Sequence, residues 1–181
     1  MSRTRQSPAR GGPDAPQQSA LTRGVLLAGL VLSLAGPALA AGPRPGCYDR
    51  SYTPEHLKKA PDQFVARIRL WLEPAGPAGG LQGRIAIWTA NQGHARRDGQ
   101  ANRRFDSPLI CWVDEGDTLC GIECDGGYGR VTTSGDTLDL VTRRMWVGET
   151  EDCGGAIDLA ERPETPVTYR MTRVADAACN D

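Results

Sequence analysis

Between positions 111 and 127 the chain reads Cys111-Trp-Val-Asp-Glu-Gly-Asp-Thr-Leu-Cys120-Gly-Ile-Glu-Cys124-Asp-Gly-Gly127. No other stretch limits the possible folds so tightly. Leu109 to Val113 is apolar apart from Cys111, Thr118 to Cys124 alternates, and Asp114-Glu115-Gly116-Asp117 between them is a strong turn signal. With Glu115-Gly116 as a two-residue hairpin loop, paired positions sum to 231, and Cys111 faces Cys120 in a non-hydrogen-bonded pair. Such pairs bring Cα atoms to about 4.5 Å, within disulfide reach. The register therefore predicts a Cys111–Cys120 bridge.

The same geometry excludes rivals. Cys120 and Cys124, four residues apart on one extended strand, lie roughly 13 Å apart, whereas a disulfide tolerates at most about 7 Å between Cα atoms. Cys124 then looks to Cys153, which sits in a similar setting: Cys124-Asp-Gly-Gly127 against Cys153-Gly-Gly155. Cys47 and Cys179 remain and tie the two ends of the domain together. This is one of 15 pairings open to six cysteines.

All six cysteines lie beyond an apolar run, residues 24 to 41, that follows Arg23 and ends in small residues. Ala38-Leu39-Ala40 fits a cleavage site, so residues 1–40 read as a secretory signal peptide with a long polar n-region. The other reading, a membrane anchor, is opposed by Pro37 and by the shortness of the apolar core. An even cysteine count behind such a leader implies an oxidising compartment, periplasmic or secreted, and a disulfide framework.

Residues 41–181 form a single domain, long enough for a sizeable core. They carry 17 basic and 21 acidic residues, a net charge of −4. A nucleic-acid partner would call for a basic surface, so none is expected, nor is a membrane span after cleavage. The Cys-x3-Cys spacing and the two isolated histidines, His56 and His94, match no common zinc pattern, so no metal or other cofactor is expected.

Along this domain, Thr53-Pro54-Glu-His-Leu-Lys-Lys59 has a threonine N-cap, proline in the first turn and lysines at the end, the marks of a short helix. Phe64 to Leu72 alternates as a strand, with Phe64, Ala66, Ile68, Leu70 and Leu72 on one face and Val65, Arg67, Arg69 and Trp71 on the other. Arg84 to Ala90 is its expected partner. Residues 91 to 104 are polar and read as a loop. Arg130–Thr133 and Thr137–Thr142 flank a Ser-Gly-Asp turn. Residues 143 to 165 look irregular, and Val167 to Arg173 closes the domain with Val167, Tyr169 and Met171 inward. About eight short strands and one helix predict an all-β fold: a small antiparallel barrel, lipocalin-like in its meander, or a sandwich, held by three disulfides.

An early Cys47-Tyr48, Ala60-Pro61-Asp62-Gln63 leading into a strand, Cys124-Asp-Gly-Gly127, Cys153-Gly-Gly155 and a terminal Tyr169-Arg170-x-x-Arg173 before Cys179 together resemble an uncharacterised family of exported bacterial β-proteins. The resemblance spans most of the mature chain and implies no activity and no functional residue.

The chemistry of a catalyst is sparse. The serines of the mature chain, Ser51, Ser107 and Ser134, include no Gly-x-Ser-x-Gly elbow, and an even cysteine count leaves no thiol over as a nucleophile. No catalytic residue is assigned. Three groups are candidates for binding. Arg96, Arg97, Arg103 and Arg104, with His94, form a basic segment suited to an anionic partner, or simply a solvated loop. Glu149, Glu151 and Asp152, with Asp125, have oxygen ligands for calcium but no EF-hand spacing, so a solvated acidic turn is the plainer reading. Trp71, Trp88, Trp112 and Trp146 are possible ligand contacts, or core and interface packing.

The partner is not legible. The expected function is an exported, non-catalytic binding protein that holds a small apolar ligand or an envelope component. The alternatives are an inhibitor of an extracytoplasmic hydrolase acting through rigid loops, or a carboxylate-based hydrolase. A hollow barrel would favour the first, a solid core with a protruding ordered loop the second, and two carboxylates about 5–9 Å apart across a cleft the third.

Overall fold

The computed structural model describes residues 42–77, 79–148 and 155–180. The strands are β1 (Gly46–Ser51), β2 (Val65–Pro74), β3 (Leu81–Thr89), β4 (Arg104–Asp114), β5 (Asp117–Gly121), β6 (Gly127–Ser134), β7 (Thr137–Val147), β8 (Ile157–Asp158) and β9 (Val167–Val174). Each is antiparallel to its neighbours. The order runs β1 through β6, then β7, then β9, which returns to β1. Eight strands thus close a meander barrel and leave no open edge for pairing. The two-residue β8 is an addition paired to the end of β7. Among the described residues, no helix is long and apolar enough to cross a membrane. The leader at residues 1–40 lies outside the described residues.

The central hairpin has the register expected of it: Cys111 pairs with Cys120, Trp112 with Leu119 and Asp114 with Asp117. Both loop residues, Glu115 and Gly116, have positive φ, 49° and 89°, as a mirror-image two-residue turn requires. The Cys111–Cys120 bridge forms with Cα atoms 4.0 Å apart, and Cys47–Cys179 forms with Cα atoms 5.8 Å apart. Cys124 is also disulfide-bonded; its expected partner, Cys153, lies outside the described residues. One premise about Cys124 fails. The strand ends at Gly121, and Cys124 and Asp125, both at φ 60°, sit in a tight turn. Cys120 and Cys124 are kept apart by Cys120's bond to Cys111, not by an extended chain between them.

The alternation of β2 slips once. A bulge between Val65 and Arg67 shifts the pairing with β3, so Val65 is fully buried while Ala66 is half-buried. An inserted residue moves the side chains before it in the strand to the opposite face, whereas Phe64, just ahead of β2, is buried as expected. Beyond the bulge, Ile68, Leu70 and Leu72 point inward as expected. They meet Tyr48, Ile85, Ile87, Leu109, Leu138, Leu140, Tyr169 and Met171, each at most 1% exposed, and together these side chains fill the barrel. The two buried tyrosines each satisfy their hydroxyls: Tyr48 donates to the Arg44 carbonyl at 2.9 Å and Tyr169 to that of Leu159 at 2.8 Å. Burial pushes the Tyr169 phenol well above its ordinary range.

One end of the barrel is capped by two short helices. The first, α1 (Pro54–Lys59), has the expected cap, with the Thr53 hydroxyl accepting the His56 N–H at 3.2 Å. The second, α2 (Gly93–Arg97), occupies a stretch that reads as a loop in sequence. Its five residues are too few for a periodic signal, and tertiary contacts hold it. The Gln92 side-chain amide donates to the carbonyls of Leu57, Ala60 and Gln63, Ala95 is fully buried, and the His94 ring packs on Phe64 with centroids 4.1 Å apart. The stretch after Thr142 is likewise more regular than expected, because β7 runs on to Val147 and receives β8.

Candidate binding groove on the outer wall

The four tryptophans do not share a cavity, and none belongs to the buried core. Trp71 lies on the outer wall and donates its indole N–H to Glu73 at 3.2 Å. Trp146 is half-buried on β7, packed against Gly155. Trp88 is clasped by three guanidinium groups, those of Arg67, Arg69 and Arg104, whose carbons lie 5.0, 5.4 and 5.1 Å from the ring centroid. Two carboxylates balance this cluster: Asp49 accepts from Arg67 and Arg69, and Asp106 from Arg104. Cation–π attraction and ion pairing together explain how Arg69 tolerates being only 5% exposed.

The basic segment is dispersed. Arg96 and Arg97 stand exposed on α2. Arg103 donates to Gln100 and lies over Phe105, and Arg104 joins the Trp88 cluster. Arg103 and Arg104 border one open pocket with Gln100, Phe105 and Asp106, and Arg96 and Arg97 lie outside it. Of the acidic group, Glu149, Glu151 and Asp152 lie outside the described residues, and Asp125 sits in the β5–β6 turn.

Trp112 is different. It is 43% exposed on β4, with Ile110 at 50% and Tyr128 on β6 at 55%. These three line an open groove of about 1240 Å³ that crosses β4 to β7 on the outside of the barrel. Register explains why they gather. Ile110 pairs with Gly121, and Gly121 with Tyr128, so the glycine leaves a gap between an aliphatic and an aromatic side chain. The Trp112 ring fills it: a Cβ on Gly121 would come within 2.9 Å of the indole. The ring then meets Tyr128 edge-on, with centroids 6.0 Å apart at 67°, the arrangement that aromatic quadrupoles favour.

A polar rim surrounds these rings. Opposite Tyr128 and Gly129 the register skips one residue of β7, and the bulge changes how side chains leave the strand. Arg143 and Arg144, neighbours in sequence, are both exposed and both line the groove. The buried Thr142 hydroxyl repairs the interrupted ladder by donating to the Tyr128 carbonyl at 2.9 Å and accepting the Arg144 N–H at 3.1 Å. Arg130, paired to Asp117 at 3.3 Å, is the third cation. Glu123 and Asp125 from the β5–β6 turn and Glu164 ahead of β9 supply three carboxylates.

Of the residues proposed from sequence, the groove contains Trp112 and Asp125. Ile110, Tyr128, Arg130, Arg143, Arg144, Glu123 and Glu164 were not among the proposed ligand contacts. The available signal was the exposed face of the central hairpin, read one strand further to Tyr128. No protein-family model, curated protein or solved structure matches this chain.

Proposed function

We propose that this is an exported binding protein whose binding face is the outer groove around Trp112 and Tyr128, and that it engages a component of the cell envelope. The observation that carries the reading is that three of the large exposed hydrophobic side chains, Ile110, Trp112 and Tyr128, lie together in one groove. Contiguous exposed apolar surface rimmed by polar groups is characteristic of interaction sites. The filled interior argues against a small apolar ligand held inside the barrel, and the disulfides accord with an oxidising compartment. Cosedimentation with isolated envelope material tests the reading. The chain should pellet with the envelope, and the W112A/Y128A double variant should stay in solution. Equal behaviour of the two proteins would remove the groove as the binding face.

One feature favours the inhibitor reading as a second possibility. Val113, 72% exposed, stands next to the rigid turn of the β4–β5 hairpin, a shape that suits insertion into an enzyme cleft. Inhibition of an extracytoplasmic hydrolase that V113D abolishes would select this reading over the first.

A further inference from the structure

We propose that the groove is a glycan site that takes a neutral oligosaccharide, a proposal that rests on the groove being the binding face. A pyranose ring has one face of C–H groups and a rim of hydroxyls. The site offers a counterpart to each part. Trp112 and Tyr128, each about half exposed, with Ile110 beside them, are the apolar shelf. The rim provides donors on Arg130, Arg143 and Arg144 and acceptors on Glu123, Asp125 and Glu164.

The balance of that rim decides the ligand's charge. The lining holds three arginines and three carboxylates, and Arg130 is further paired to Asp117, so a polyanion would meet carboxylates and a polycation would meet arginines. A hydroxyl both donates and accepts and can use the whole rim. A wholly apolar ligand would strip water from the charged groups and give nothing back, which is costly. Size points to several sugar units. At about 1240 Å³ the groove exceeds the roughly 300–1,000 Å³ typical of pockets for single small molecules, and it is open along the wall, as a chain-like ligand requires. The shelf is also set in advance, since Trp112 is held over Gly121 and against Tyr128, which lowers the entropy lost on binding.

Titration calorimetry of the full, disulfide-bonded chain tests this. The probes are neutral di- to hexasaccharides of glucose, N-acetylglucosamine, mannose and xylose, with oligogalacturonate as the anionic control and chitosan oligomers as the cationic control. The expected result is saturable binding to at least one neutral series, with affinity rising with chain length. W112A should weaken it at least tenfold, while W112F, which keeps a ring, should stay within a few fold, with melting temperatures close to that of the parent. Binding of charged oligomers alone would overturn the proposal. So would saccharide binding that W112A leaves unchanged, and that result would count against the groove as well. If no saccharide binds but envelope cosedimentation still depends on Trp112, the glycan assignment falls and the groove stands.

Discussion

Glu161 is held in a setting unfavourable to its charge. Burial is the largest cause of its raised pKa, and the neighbouring carboxylate of Asp62 raises it further; Arg162, His56 and His94 act in the opposite direction. An acid whose pKa is higher in the folded than in the unfolded state binds its proton more tightly when folded. Its penalty is therefore absent below the unfolded pKa, sets in as pH rises past that value, and is complete once pH exceeds the folded one. Glu161→Gln should raise stability at pH 7, and the gain should shrink as pH falls, vanishing below about pH 4 where an ordinary glutamate is protonated. Denaturant melts of both proteins across pH 3 to 8 measure this; a gain that is independent of pH would mean that charge is not the cause.

At the level of elements, the central hairpin is stabilised by its turn and its staple, and both can be adjusted. Glu115 occupies a left-handed conformation at φ 49°, where asparagine is preferred and other side chains incur strain. Glu115→Asn should stabilise the domain by about 1 kcal/mol, the lower end of the left-handed penalty, read as a higher denaturation midpoint at unchanged slope. The Cys111–Cys120 and Cys47–Cys179 bridges differ more. Cys111–Cys120 spans 9 positions and Cys47–Cys179 spans 132. Chain-entropy arguments assign them about 3 and about 5 kcal/mol. Replacing Cys47 and Cys179 with alanine should lower the melting temperature more than replacing Cys111 and Cys120, by roughly 4–8 °C for a domain of this size. The reverse order in thermal melts would show that the short staple owes its effect to the native hairpin and not to the unfolded chain.

At the scale of the whole molecule, closure and filling go together. An eight-stranded barrel encloses just enough space for its own inward side chains or for one small ligand. Here buried side chains from every strand of the barrel occupy that space. Leu140, fully buried on β7, fills the place left by Gly129, where a Cβ would come within 2.5 Å of its side chain. Leu140→Ala should cost about 2–5 kcal/mol and open a void in the core. The parent should leave a fluorescent fatty-acid probe unbound in its interior. Probe uptake that no groove substitution disturbs would mean that the barrel opens to admit ligands.

What could be read from sequence alone was local. The two-residue turn placed Cys111 opposite Cys120, Thr53 and Pro54 marked the start of α1, and alternation placed Tyr169 and Met171 inside, because each signal depends on neighbours a few residues away. The barrel form was legible as one of two outcomes of short strands in hairpin succession. The rest depended on partners on other strands. The bulge that lets Arg143 and Arg144 line one groove exists only against Tyr128 and Gly129. The clasp on Trp88 needs Arg67 and Arg69 from β2 and Arg104 from β4, and the aromatic shelf needs Gly121 between Ile110 and Tyr128. Side-chain periodicity tells which face a residue takes. Only the register between neighbouring strands, and the slips within it, decided which residues share that face.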